Sequence, residues 1–279
     1  MTSLRAANVG IGLHYAQLCS LTQLYARRWC VSARRTSLIH TLNVTISGNI
    51  MPNETMPEWE QVLAAAIHLQ HLLPGAVLMG GTASAVYARH RLSTDADHVV
   101  TDLRLRFDQV LVELEAVAGW QTARVKRPVQ ILGSLEGIET GVRQLIRDIP
   151  LEVTQIEIGG KLLTIPTEAE ILRIKGVLIL RRNATRDYLD FVALAEHMGD
   201  DHVVLALLSF DRFYPQPNDE SALQQLQIQL AQPLPYDLEV VKLAEYKNLA
   251  PRWQDWQIVR AVCVHCADLI FDQIVGLED

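Results

Sequence analysis

The chain has no run approaching the roughly 20 apolar residues that a membrane-spanning helix requires; its most apolar stretches, such as VVLALLSF from Val203, are short and bounded by charge. A transmembrane helix is therefore not expected, and the chain reads as a soluble, cytoplasmic globular protein. Cysteine is scarce: of four, Cys19 and Cys30 lie in the first fifty residues, which leaves Cys263 and Cys266. This excludes a disulfide framework and points to a reducing compartment. The remaining pair forms C-x-x-C around His265, but no second pair stands at ligand spacing. Its flanks, IVRAVCVHCADLIF, suit a buried helix in which cysteine packs as a small hydrophobe. Internal repeats and low-complexity segments are also missing.

Acidic residues are absent from the first fifty positions, where five arginines (Arg5, Arg27, Arg28, Arg34, Arg35) stand among many Ser and Thr. That is the composition of a targeting segment, and equally of an extension ahead of a start at Met51 or Met56. The second reading is the simpler. Residues 1–56 are accordingly expected to lie outside the fold, with a mixed α/β core over 57–165 and a helical part over 166–279.

What remains is acidic and uneven. The whole chain carries −7, and setting aside the five arginines takes it to −12. Arg89 to Arg186 holds 15 basic and 13 acidic residues, whereas Asp187 to Asp279 holds 5 and 16. A polyanion is expected to meet the middle of the chain and avoid its end.

The spacing predicts a helix over Trp59–Leu73, stopped by Pro74-Gly75. AVLMGG then reads as a short strand ending in two glycines, followed by a helix over Thr82–Arg91 capped by Thr82. DADHVV reads as a strand and Phe107–Ala118 as an amphipathic helix. TARVKRPVQILG is strand-like, GIETGVRQLI reads as a short helix or irregular link, and LEVTQIEI-GG-KLLTI is a hairpin. Helices are expected over Pro166–Arg182, with Asn183 as breaker, and over Thr185–Gly199; the remainder is helical. The fold class is α+β: a small mixed sheet flanked by helices, then a helical C-terminal part.

Gly80 and Gly81 end a strand and open a helix, so backbone N–H groups can face a phosphate with no side chain in the way. Asp95 and Asp97, two apart on a strand, project to one face, and carboxylates that close repel unless a cation sits between them. Mg²⁺ suits such a site because it commonly bridges carboxylates to substrate phosphates. Strand, Gly-Gly-Thr, helix and carboxylate pair together supply what nucleotidyl transfer needs: a triphosphate cradle at Gly80, Gly81 and Thr82, and carboxylates to hold the metal.

The run MGGTASAVYARHRLSTDADHVV resembles the Gly-Gly plus D-x-D signature of the polymerase β nucleotidyltransferase superfamily. More closely, it is similar to the AbiEii/AbiGii toxin-type nucleotidyltransferases. Arg91, Ser93, Asp95 and Asp97 fit their order, and EAEILRIKGVLILRRNATRDYLDFVAL resembles their downstream helices through Lys175, Arg186, Asp187 and Asp190. The resemblance implies Mg²⁺-dependent transfer of NMP from NTP, with transfer RNA an acceptor and an antitoxin protein a partner in toxin members.

It also implies catalytic roles for Asp95, Asp97, Lys175 and Asp187, and nucleotide contacts for Arg91, Ser93 and Arg186. The residues allow plainer readings: Lys175 as a solvated helix lysine, Arg186 and Asp190 as an i,i+4 salt bridge, Asp187 as a helix-start carboxylate. Tyr246, Trp253 and Trp256, with Lys247 and Arg252, read as helix packing rather than a base-stacking platform. The superfamily's third carboxylate has no counterpart in the strand from Arg124; the nearest acids are Glu136 and Glu139, and Glu136 is the candidate third metal ligand. That departure keeps open a second reading, a catalytically degenerate nucleotide-binding or interaction module.

Overall fold

In the computed structural model, which describes residues 56–276, every strand falls before residue 167 and helices dominate afterwards. The first fifty residues, with their targeting or start-site readings and Cys19 and Cys30, lie outside the described residues. The order is α1 (Met56–Leu72), β1 (Val77–Leu78), α2 (Gly80–Ala88), β2 (Asp95–Val100), α3 (Leu103–Glu115), β3 (Trp120–Lys126), β4 (Gln130–Leu135), β5 (Ile138–Gln144), β6 (Val153–Ile158) and β7 (Lys161–Pro166). Then come α4 (Glu168–Arg182), α5 (Thr185–Met198), α6 (Asp200–Leu207), α7 (Phe210–Phe213), α8 (Ala222–Ala231) and α9 (Trp256–Val275).

Strands one to five form a mixed sheet in the order β1-β2-β5-β4-β3, in which only β2 and β5 run parallel. Period-two alternation gives the sheet two different faces. Ala96, His98 and Val100 of β2, Ile131 and Leu135 of β4, and Thr140 and Val142 of β5 are buried. Leu69 of α1, Leu73 just past its end, and Leu103, Phe107, Val110 and Leu114 of α3 pack in the same apolar cluster as Val100, Ile131, Leu135 and Val142. Burial of each such side chain contributes about 1.5–3 kcal/mol, so this layer fixes the sheet, and the opposite face is left to Asp95, Asp97, Glu139 and Arg143.

β5 corrects the expectation for GIETGVRQLI, which is neither helix nor irregular link. It is the inner strand joining β2 to β4, and Gly141 marks why its sequence looks weak: a Cβ there would press on Leu132 and on the carbonyl of Ile131. TARVKRPVQILG is likewise two antiparallel strands rather than one. The β6–β7 hairpin forms as read, with Gly159 and Gly160 both at positive φ, as a two-residue turn between right-twisted strands demands.

Thr167 caps α4 by accepting a hydrogen bond from the Glu170 N–H at 3.2 Å, and Asn183 ends that helix in the left-handed region at φ 47°. Gly176, midway along α4, admits Phe210 and Leu226 against the helix backbone. Cys263 and Cys266 pack in this helical core as free thiols, and burial pushes Cys266 up to about 12 and Cys263 higher still, which removes the thiolate that metal or redox chemistry would use.

Candidate active site

The site is built where α2 meets β2. The backbone N–H of Met79 donates to the Asp97 carbonyl at 2.8 Å, and the Thr82 hydroxyl donates to the Asp95 carbonyl. The glycine turn is thus sewn to the backbone of both candidate metal ligands, whose side chains emerge half-buried on the open face. Gly80 stands at φ 75° with open space where a Cβ would be, a conformation that favours glycine. Thr82 departs from expectation: α2 begins at Gly80 with Met79 as its cap residue, and the buried Thr82 side chain holds strand to helix instead of reaching a phosphate.

Gly81 is constrained from behind, because any Cβ there would collide with the Arg91 guanidinium. Arg91 is buried and donates to both oxygens of Asp190, Nε to Oδ1 at 2.8 Å and Nη2 to Oδ2 at 3.1 Å. His90 Nε2 lies 2.7 Å from Asp190 Oδ1, and Lys175 Nζ 2.6 Å from Oδ2. Burial opposes the charge on Asp190, but Arg91 and Lys175 outweigh it and hold the carboxyl well below its usual range. Burial likewise opposes the charge on Arg91, and the Asp190 carboxylate more than restores it.

These contacts revise two plain readings, those of Lys175 and Asp190, and keep the third, Asp187 as a helix-start carboxylate. Lys175 is buried rather than solvated. Asp190 pairs with Arg91, His90 and Lys175 rather than with Arg186. Asp187 is buried at the start of α5, accepts two hydrogen bonds from Arg182 at 3.0 and 2.7 Å, and lies 4.0 Å from Lys175 Nζ. Arg91, Lys175 and Arg182 outnumber Asp187 and Asp190, so the surplus behind the glycine turn is positive. Arg186 is exposed, and its charge acts on both Asp97 and Tyr246.

The carboxylate pair stands half-buried on the open face. Ser93 Oγ donates to Asp95 Oδ1 at 2.8 Å and fixes that side chain. Burial pushes the Asp97 carboxyl up, and the charge of Asp95 pushes it further, against the pull of Arg143. Two hard oxygen donors on one strand face are the donor type that suits Mg²⁺. Glu136, the candidate third ligand, sits instead in the β4–β5 turn at φ 54°, 3.3 Å from His68 Nδ1. Glu139 is the acid on the neighbouring strand: it is in register with Asp95 on the parallel partner β5, and side chains in register project to the same face. Among the described residues, no three His, Cys, Asp or Glu side chains are gathered as a ready metal cage.

The packing reading of Tyr246 and Lys247 is corrected, because the segment that carries them reaches the site from the far end of the chain. Lys247 Nζ lies 3.6 Å from Asp95 Oδ1, and the Arg91 guanidinium lies 5.9 Å from the centre of the Tyr246 ring. These two belong to the site, while Trp253 is buried in the helical core and Trp256 packs edge-on against Tyr188.

No protein-family model matches the chain. JHP933 from Helicobacter pylori superposes with a TM-score of 0.50 at 18% identity, over 81% of this chain and 96% of that one. A second H. pylori protein, provisionally assigned as a nucleotidyltransferase, gives a TM-score of 0.52 at 18% identity, over 82% and 100%. The chain therefore shares the α+β fold of these two proteins. Among curated proteins, the mycolic acid-containing lipids exporter MmpL11 of Mycolicibacterium smegmatis is 35% identical over 127 residues, 44% of this chain and 13% of that protein. The heme uptake protein MmpL11 of Mycobacterium tuberculosis is 34% identical over 130 residues, 46% of this chain and 13% of that protein. The chain thus spans only about an eighth of the length of these relatives. Among the described residues, no helix is long and apolar enough to cross a membrane.

Proposed function

We propose that this chain transfers a nucleoside monophosphate from a nucleoside triphosphate to an acceptor hydroxyl. One observation carries the reading: the glycine turn, with a buried guanidinium behind it, is hydrogen-bonded to the backbone of the same two residues whose carboxylates share the open face. A triphosphate seated on the Gly80 and Gly81 N–H groups would have its α-phosphorus beside Asp95 and Asp97. Residues Asp95 and Asp97 would hold Mg²⁺, with Glu139 the nearest further carboxylate; the ion supplies charge neutralisation for the triphosphate and the departing pyrophosphate.

The remaining residues divide by reach. Ser93 orients Asp95, and Arg91, Lys175 and Asp190 form the positively biased support behind the turn. Exposed Arg186 is free to meet phosphate oxygens. Asp187 is the candidate base for the acceptor hydroxyl, which requires that it exchange its bond to Arg182 for one to the acceptor.

The resemblance to AbiEii-type toxins supports RNA, transfer RNA above all, as acceptor, and an antitoxin as the partner that silences the protein. The test is incubation with each α-³²P-labelled NTP, Mg²⁺ and total RNA or total protein. Label entering RNA in the wild type but not in Asp97→Ala supports the reading; absence of label from every acceptor fraction with all four nucleotides refutes it.

A second reading, a nucleotide-binding module without turnover, is favoured by one observation: Arg143 and Lys247 already pair with the two carboxylates. It is distinguished by calorimetric NTP binding with no pyrophosphate released.

A further inference from the structure

Both carboxylates of the pair carry a protein cation, and the two cations are held differently. Arg143 stands on β5, and its Nη2 lies 3.3 Å from Asp97 Oδ2. Lys247 comes from outside the sheet, just beyond the 3-10 turn Leu243–Glu245, and its Nζ lies 3.6 Å from Asp95 Oδ1.

The backbone at Lys247 is fixed. Lys247 and Asn248 stand at φ 44° and 50°, a conformation that costs a non-glycine residue energy and persists only where contacts impose it. Those contacts are present: the Leu92 N–H donates to the Lys247 carbonyl at 3.0 Å, and the Ala250 N–H donates to the His90 carbonyl at 2.7 Å. The segment is thereby sewn to the stretch that carries Arg91 and Ser93.

The ammonium is not fixed. Its side chain is 40% exposed, and 3.6 Å exceeds the 2.8 Å at which Ser93 locks the same oxygen. A rigid backbone thus offers a swinging cation to the carboxylate that a divalent ion also needs. A divalent ion at Asp95 repels the ammonium and weakens its hold on the carboxylate.

We propose that Lys247 neutralises Asp95 until the divalent ion arrives and then turns onto the triphosphate, so that it competes with the metal alone and cooperates with metal and nucleotide together. The proposal rests on the nucleotidyltransferase reading. It assigns to the C-terminal helical part a ligand for the nucleotide, and it explains why a chain with few cations beyond Asp187 places one at this turn. It also gives the exchange a sign: removing the ammonium must tighten the metal and loosen the triphosphate. A structural role for Lys247 predicts neither change.

The test uses Mn²⁺ as the metal probe, followed by electron paramagnetic resonance without nucleotide, on wild type, Lys247→Met and Lys247→Arg. Calorimetry with each NTP and each NMP in Mn²⁺ follows. In Lys247→Met, Mn²⁺ is expected to bind about fivefold more tightly and the preferred NTP about fivefold more weakly, as suits a half-exposed ion pair. NMP affinity is expected to stay within twofold, and Lys247→Arg to restore both properties. If the wild type binds Mn²⁺ and NTP but Lys247→Met changes neither by more than twofold, or weakens Mn²⁺, the role of Lys247 falls and the nucleotidyltransferase reading stands. If the wild type binds Mn²⁺ and none of the four NTPs, the nucleotidyltransferase reading fails, and the proposal with it.

Discussion

The Arg91 guanidinium occupies the space that any side chain at Gly81 would need. Arg91 cannot retreat, since two of its nitrogens are bonded to buried Asp190. Gly81→Ala is therefore expected to cost about 1–3 kcal/mol by overpacking, measured by urea denaturation. The cost should shrink in an Arg91→Ala background, where the double-mutant cycle reads the contact directly. Equal cost in both backgrounds would show that the penalty does not arise from the contact with Arg91.

Asp190 should matter to stability more than Asp187 does. Asp190→Asn leaves buried Arg91 without its paired carboxylate and Lys175 with only the more distant Asp187, a loss of about 3–5 kcal/mol. Asp187 pairs with Arg182, whose side chain is 39% exposed and can turn to solvent, so Asp187→Asn is expected to be milder. Because the Asp190 carboxyl is depressed in the folded state, its contribution is complete above its unfolded pKa of about 4 and is lost only as pH falls through the lower folded value. Comparable losses in the two variants would contradict the assignment of Asp190 as the hub.

His98 makes folding sensitive to mild acid. Its ring is fully buried; the Ala66 and Ala96 carbonyls lie near it, yet neither nitrogen finds a partner in good geometry. Burial lowers its pKa from 6.5 to about 4. Between those values the unfolded chain binds a proton that the folded chain does not. Stability should therefore fall as pH drops from about 6.5 to about 4, by up to ~3 kcal/mol. Denaturation midpoints of wild type and His98→Leu across that range provide the check: the variant should lack this part of the slope.

Glu139 and Glu136 offer a test of the third carboxylate. On the fold described, Glu139→Gln is expected to reduce transfer about 100-fold if its carboxylate completes the metal site, as loss of a charge-stabilising group at a reacting centre does. Glu136→Gln, in the turn beside His68, is expected to stay within about twofold, as a surface change away from reacting groups does. Steady-state rates at saturating Mg²⁺ decide; the reverse ranking would assign the third carboxylate to Glu136 instead.

That contrast shows where the sequence was legible. The glycine hairpin, the capped helix ending at Asn183 and the D-x-D strand all announce themselves through local chemistry, and each forms. β5 was missed because its central Gly141 is dictated by the approach of Leu132 and Ile131 from another strand. Its one local signal was the alternation of Glu139 and Arg143 with Thr140 and Val142. With β5 unseen, Glu136 looked nearer to the metal than Glu139.

Asp190 was read with Arg186 because helical spacing is visible in a sequence, while Arg91, a hundred residues upstream, is a tertiary partner. Tyr246 and Lys247 stand in an aromatic and basic cluster whose acidic surroundings favour packing, and nothing local points them to Asp95. They reach the site through backbone hydrogen bonds to residues 90–92 and through left-handed turns that no local preference demands.

The most direct measurement is the stoichiometry of pyrophosphate release against nucleotide gained by an RNA acceptor, in wild type and Asp95→Asn with Mg²⁺. One pyrophosphate for each nucleotide added, with both lost in Asp95→Asn, is the predicted result. Nucleotide binding with no pyrophosphate released, or release undiminished in Asp95→Asn, would contradict it.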